Sequence, residues 1–242
     1  SKRHAMRIMH TESSEGLGGQ EFRTLAESES MARRGHDVLL VTQIDSQMES
    51  LARNAGLAVE PINMNRWTLP CGVHMIYKLI DRFSPDIVHT HGSTDTWIAG
   101  IAARLAPQRP ILIRTRHKAT PISTGWLSRF LYEKLADRII TTGETIRNAM
   151  HIQNGFDQTR IFSIPTGVDL LKLQNGSRNS HLRKELSLPV DAILVGMVGF
   201  LRFEKGVLYF VDAAKHLLQS VKNCWFCIAG DGPIKEKVRA RI

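Results

Sequence analysis

Short apolar runs alternate along this chain with longer stretches whose apolar residues recur every three or four positions. The runs at 6–11, 38–42, 87–90, 111–115, 138–142 and 161–165 are rich in β-branched residues and bounded by turn formers. Such runs predict strands buried on both faces, and a less regular one lies at 58–64. Between them, 21–34, 47–55, 72–83, 94–105, 126–136 and 144–151 have helical periodicity. Strand–helix alternation of this kind predicts an α/β fold, a doubly wound parallel sheet with right-handed crossovers. After Asp169 the pattern lapses into polar sequence with an Asn175-Gly176 turn signal. A first domain is therefore expected over 1–170 and a linker over 171–190. Alternation resumes with a strand at 193–200, a helix at 206–218, a strand at 225–229 and a helix opening near Pro233. Residues 191–242 predict the start of a second Rossmann-like domain. Two strands are few for such a domain, so a longer chain or another polypeptide is expected to complete it.

Composition narrows the class. Of 242 residues, 43% are hydrophobic and 23% charged, which fits a globular protein and excludes general disorder. No apolar run approaches the roughly 18–20 residues of a membrane span. The basic start lacks a signal-peptide core, so a cytoplasmic protein is expected. Three cysteines are an odd, sparse set, as in a reduced chain. Cys224 and Cys227 fall three apart on a predicted strand, on opposite faces and about 10 Å apart, beyond the reach of a disulfide. The formal charge is +9, yet the bases are dispersed, without zinc-finger spacing or an aromatic–basic RNA motif. Nucleic acid is not expected as a partner. Anionic substrates and anionic membrane faces suit the charge better.

In open parallel sheets, ligands bind beyond the carboxyl ends of the strands. Five loops there could carry chemistry. Gly16-Leu-Gly18-Gly19-Gln-Glu21 opens a helix, whose bare N–H groups can receive an anion or hydroxyls. His89 and His91, two apart, face one side of their strand, but the sequence designates no third metal ligand. In Arg114-Thr-Arg116-His117-Lys118, alternation sends the two arginines to one face and Thr115 and His117 to the other. Charge is costly inside a sheet, so both arginines are expected at the mouth of a cleft. Gly199-Phe-Leu-Arg202-Phe-Glu-Lys205-Gly206 places two cations before a helix, where phosphates bind. Gly230-Asp-Gly232-Pro is another strand-to-helix turn. No Asp-x-Asp occurs, so no metal-bound diphosphate of the two-carboxylate kind is expected. Trp126, Leu127, Phe130 and Leu131, at helical spacing, are expected to pack on the sheet.

Taken in order, these segments resemble the retaining glycosyltransferases of family 4, which have the GT-B fold of two Rossmann-like domains. The matching pieces are Gly18-Gly19-x-Glu21, Pro85-Asp-Ile-Val-His-Thr-His91, Arg114-Thr-Arg116-His117, Ala136-Asp-Arg-Ile-Ile140, Ile164-Pro-Thr-Gly-Val-Asp169, Gly199 to Gly206 and Ala229-Gly-Asp-Gly-Pro233. The Arg-Thr-Arg-His form resembles members that build bacterial cell-surface polysaccharide or lipopolysaccharide. The resemblance implies that Gly18 and Gly19 lie against the donor phosphates and the acceptor. It implies that His117 contacts the donor sugar near the reacting carbon, as the catalytic residue, and that Arg202 and Lys205 hold the diphosphate. His91, Arg116, Thr166 and Gly167 are candidate acceptor or substrate contacts. No metal or other cofactor is implied. The family's Arg directly after the second-domain glycine is here Phe200, its Asn before Gly167 is Thr166, and its paired glutamates would lie beyond Ile242.

The function implied is transfer of a sugar from a nucleotide-sugar donor to a cell-envelope glycan or lipid-linked acceptor, with retention of configuration. Weak association with the anionic inner membrane would accompany it. The alternative is a non-catalytic module that binds acceptor or membrane and needs a second polypeptide to complete the donor site.

Overall fold

The computed structural model describes residues 4–118, 120–123, 125–168, 170 and 181–242. The first half of the predicted linker, 171–180, lies outside the described residues. The chain divides into two compact units, Ser1–Val168 and Asp169–Ile242.

The first unit is a seven-stranded parallel sheet. Its strands are β1 (Arg7–Glu12), β2 (Asp37–Gln43), β3 (Ala58–Ile62), β4 (Ile87–Thr90), β5 (Ile111–Arg116), β6 (Arg138–Thr141) and β7 (Ile161–Ser163). The helices are α1 (Gly19–Arg33), α2 (Gln47–Asn54), α3 (Leu69–Phe83), α4 (Ser93–Leu105), α5 (Trp126–Phe130) and α6 (Glu144–Ile152). The strand order is β3-β2-β1-β4-β5-β6-β7, so the winding reverses between β1 and β4. That switch point is where an open α/β sheet offers a crevice. Pro61 is tolerated because β3 is an edge strand. Met9, Val41, Val88 and Leu112 on the sheet pack with Ile76, Ile80, Ile98 and Ala102 of α3 and α4 as one apolar core.

One helix departs from expectation. Over 126–136 the chain makes only five residues of α-helix, then a π-turn over Leu131–Leu135, closed by the Ala136 amide donating to the Leu131 carbonyl at 3.2 Å. Leu131, Tyr132 and Leu135 are buried, whereas Trp126, Leu127 and Phe130 are 73%, 51% and 41% exposed. The expectation that all four apolar residues pack on the sheet is therefore corrected: only Leu131 does so.

The second unit pairs β8 (Ile193–Val198) with β9 (Cys224–Ala229) in parallel, with α7 (His181–Glu185), α8 (Val207–Leu217) and α9 (Lys235–Arg241). Leu201, Val207, Val211, Ile234 and Val238 form its core. Its glycine motif has a steric cause. A Cβ on Gly230 would overlap the Gly199 carbonyl oxygen, and one on Gly232 would lie 2.5 Å from that of Leu201. Backbone cannot move aside as a side chain can. Gly230→Ala should therefore cost about 1–3 kcal/mol in denaturant unfolding. Gly196→Ala, whose Cβ would meet nothing within 4 Å, should cost nothing measurable.

Candidate functional site

The carboxyl ends of β1, β4 and β5 bring four imidazoles together. Parallel register sets His10 beside His89 across the switch point. His91 follows β4 directly, and His117 follows β5. His10 Nδ1 and His91 Nε2 are 3.1 Å apart, and His91 Nδ1 and His117 Nε2 are 3.2 Å apart. His89 Nε2 meets the Thr115 hydroxyl at 2.6 Å. The alternation expected along β5 thus holds, with Thr115 and His117 on the histidine side. Burial lowers His10 to about 4. His117 is also held at about 4, by burial first and then by the Arg23 and Arg114 charges. His89 and His91 lie well below the usual value for the same leading reason, burial.

Neutral imidazoles in a chain fix one another's protons. Each contact needs one N–H and one lone pair. His10 Nε2 is buried with no partner among the described residues. A buried unpaired N–H is rarer than a buried unpaired acceptor, which assigns the lone pair to His10 Nε2. His10 Nδ1–H then donates to His91, His91 Nδ1–H donates to His117 Nε2, and His117 carries its own proton on Nδ1. It is a hydrogen-bond donor, uncharged at neutral pH.

An acidic group adjoins this chain. Asp95, fully buried in the first turn of α4, accepts from the Thr11 hydroxyl at 3.0 Å, the Ser13 hydroxyl at 3.2 Å and the His91 amide at 2.8 Å. Glu12 is equally buried and accepts twice from Gln20 Nε2 at 2.9 Å. Burial, and next the Asp95 carboxylate, pushes Glu12 up to about 8. Gln20 belongs to the glycine loop's helix. Gly18 is the N-cap of α1 and Gly19 its first residue, with no side-chain cap, so the first amides of α1 stay available.

Arg23, one turn further, is 5% exposed and joins Glu27 at 2.7 Å to Thr166 at 3.2 Å. Gly167 beside it is exposed. The donor atoms of His10, Glu27, His89 and His91 lie within 4.8 Å of one another, the one such group among the described residues. Its carboxylate already answers the Arg23 guanidinium, and that same cation bears on His89 and His91. The arrangement suits neutral, mutually bonded imidazoles.

Gly18, Gly19, His91, His117 and Thr166 are thus tied to one end of the sheet. Arg116 lies on the other face of β5, donating to the Tyr132 hydroxyl at 3.0 Å. Arg114 corrects the expectation for it: it is 4% exposed, not displayed at a mouth. Arg202 and Lys205 belong to the second unit, on the exposed segment after β8, where Arg202 stacks over Phe200 at 4.7 Å. Neither makes an ion pair among the described residues. Sequence reasoning missed His10, Glu12, Arg23 and Asp95. The spacing of His10 and Glu12 on β1 repeats that of His89 on β4 and His91 just after it, a signal visible only once the strands are paired.

The opposed shifts set a pH dependence. His10 and His117, depressed from 6.5 to about 4, stabilise the fold above 6.5 and lose that contribution as pH falls towards 4. Glu12, raised from 4.5 to about 8, favours the fold below 4.5 and loses that contribution as pH rises through 8. Glu12→Gln should therefore raise stability at pH 8 by on the order of 2–4 kcal/mol and change little at pH 4. Denaturant unfolding at the two pH values measures this.

Comparison with known proteins bears on the family and the fold. The profile of Glycosyltransferase Family 4 matches residues 17–171, and that of Glycosyl transferases group 1 matches 179–242. An Escherichia coli UDP-Gal:alpha-D-GlcNAc-diphosphoundecaprenol alpha-1,3-galactosyltransferase is 31% identical over 176 residues, 68% of this chain and 45% of that protein. The chain therefore spans under half the length of that relative. Among solved structures, a glycosyltransferase from Rickettsia africae superposes with a TM-score of 0.82 at 16% identity, covering 99% of this chain and 65% of the other. Anabaena HepE in complex with UDP and glucose gives 0.78 at 19% identity, covering 98% and 66%. At such identities the likeness is one of fold, here that of GT-B glycosyltransferases, while the profile covers well over half the residues. The chain belongs to glycosyltransferase family 4.

Proposed function

We propose that this chain serves a retaining glycosyltransferase that moves a sugar from a nucleotide-sugar donor to a cell-envelope glycan or lipid-linked acceptor. The observation that carries the reading is the neutral His117, held at the end of β5 by His91 at 3.2 Å. A sugar hydroxyl needs a placed, uncharged donor rather than a cation, and His117 Nδ1–H supplies one. In the reaction the bond from the anomeric carbon to the diphosphate breaks and a bond to the acceptor oxygen forms on the same face. The hydroxyl proton leaves with the departing phosphate. Negative charge grows on that diphosphate, and the exposed cations Arg202 and Lys205 are groups suited to stabilise it. Those cations fill the role a metal ion would otherwise take, so metal-independent transfer is part of the proposal. The E. coli relative's name specifies a UDP-sugar and a diphospholipid-linked acceptor, which supports both substrate classes here.

His117→Ala should lower kcat on the order of 100-fold, as loss of a placed donor does, while leaving nucleoside diphosphate affinity within about twofold. Lys205→Ala should do the reverse, weakening that affinity roughly ten- to hundredfold. Calorimetry with the nucleoside diphosphate, and turnover by this chain or a longer polypeptide containing it, separate the two. Because His117 is held at about 4, the acid limb of kcat/KM should lie well below pH 6.5. A limb at 6.5 would count against the neutral-donor role.

No helix among the described residues is long and apolar enough to cross a membrane. A cytoplasmic enzyme peripheral to the inner membrane is the setting we propose. The +9 charge and the exposed Trp126, Leu127 and Phe130 support salt-sensitive attachment to anionic lipid. Co-sedimentation with anionic vesicles at low salt, lost at high salt, is the expected result, and no sedimentation at low salt would remove the membrane from the proposal.

A further inference from the structure

A cleft of about 390 Å³ beside β5 and α5 is lined by Arg114, Arg116 and Lys118 together with Trp97, Leu127 and Tyr132. Arg114 is 4% exposed, and its guanidinium stays charged even as burial lowers its pKa. Its Nη2 donates to the Ser93 hydroxyl at 3.2 Å and its plane lies 4.5 Å over the Tyr132 ring. Its Nε and Nη1 are buried with no hydrogen-bond partner, and it forms no ion pair among the described residues. The Asp95 carboxylate and the Tyr132 ring favour the charge without bonding Nε or Nη1, and a buried cation held so loosely is stabilised further by an anion that comes closer.

The surroundings add to that demand. Arg116 Nη1 donates to the Tyr132 hydroxyl at 3.0 Å and its Nη2 to the Thr120 carbonyl, holding its charge beside Arg114. Lys118 stands exposed at the rim. Ser93, also on the cleft, is the first residue of the 13-residue α4, so a helix dipole adds to the field. Three cations and a helix end thus face one space. The short helix α5 offers apolar surface beside the cleft, with Leu127 lining it and Trp126 and Phe130 exposed on the same helix.

We propose that this cleft binds the diphosphate of a polyprenyl-diphosphate-linked acceptor, with Arg114 and Arg116 on phosphate oxygens and the chain leaving over α5. The inference takes its acceptor chemistry from the transferase reading, but binding needs no turnover, so a chain that binds without transferring sugar would fail that reading alone.

The test is calorimetry on the chain as it stands, with farnesyl diphosphate, inorganic diphosphate and UDP as probes. Farnesyl diphosphate should bind at least tenfold more tightly than inorganic diphosphate. Arg116→Gln and Arg114→Met should each weaken it at least tenfold, whereas Lys205→Ala should weaken only UDP. Arg114→Met should keep the fold, because the methionine side chain can still pack on the Tyr132 ring. If that variant does not fold, Arg116→Gln with Lys118→Gln, at half-buried and exposed positions, decides the matter. Equal affinity for the two diphosphates would make this a free-phosphate site and overturn the lipid assignment. Farnesyl diphosphate binding that ignores both arginines, or arginine variants that lose UDP equally, would overturn the site itself.

Discussion

The Asp95 carboxylate decides how the first unit ends at its functional edge. It takes hydroxyl hydrogens from Thr11 and Ser13, just at and past the end of β1, and the amide hydrogen of His91, just past β4. It sits in the first turn of α4, where a helix dipole favours negative charge. Two strands and a helix are thereby pinned at the switch point of the sheet. The grip leaves no room: a Cβ on Gly92 would lie 2.6 Å from Asp95 Oδ1. Holding His91 by its backbone also aims its ring, and the His10 and His117 contacts follow from that placement.

One charge at this edge limits the others. Burial first, and then the neighbouring Asp95 carboxylate, makes ionising Glu12 costly, and Glu12 is pushed up to about 8. Burial, and after it the Arg23 and Arg114 charges, holds His117 neutral. The outcome is a division of labour by charge. On β5 itself, Thr115 and His117 lie on the histidine side, while Arg114 and Arg116 lie beside Tyr132. Strand alternation along Arg114-Thr115-Arg116-His117 is what keeps the two kinds of chemistry apart.

Much of this was legible in the sequence and some was not, for reasons that differ by residue. The strands and most helices follow from local patterning, and His91, Arg116 and His117 stand out as polar residues ending apolar runs. His10 and Glu12 do not, because on β1 alone they look like a strand losing its apolar character. Only the register of β1 against β4, which depends on the whole sheet, sets His10 beside His89. Arg114 was expected at a cleft mouth because charge is costly inside a sheet. The aromatic face of Tyr132 and the cleft beside it let the chain bury that arginine instead. The Trp126 segment escaped because helical spacing assumes 3.6 residues per turn, and the π-turn at Leu131–Leu135 breaks that count.

In the second unit the glycines and the cations divide the work differently. Gly230-Asp-Gly232 looks like a ligand loop, yet its glycines admit the backbone of 199–201. The Leu201 amide donates to the Asp231 carbonyl at 2.8 Å, the Ile234 amide returns to the Leu201 carbonyl at 3.3 Å, and the Leu201 side chain is 4% exposed. Leu201 is thus the anchor, and Arg202 and Lys205 are the exposed residues that follow it. The cations of this loop lie exposed and outside any ion pair among the described residues, so its rigidity comes from elsewhere. It comes from two glycines that let two backbone segments touch.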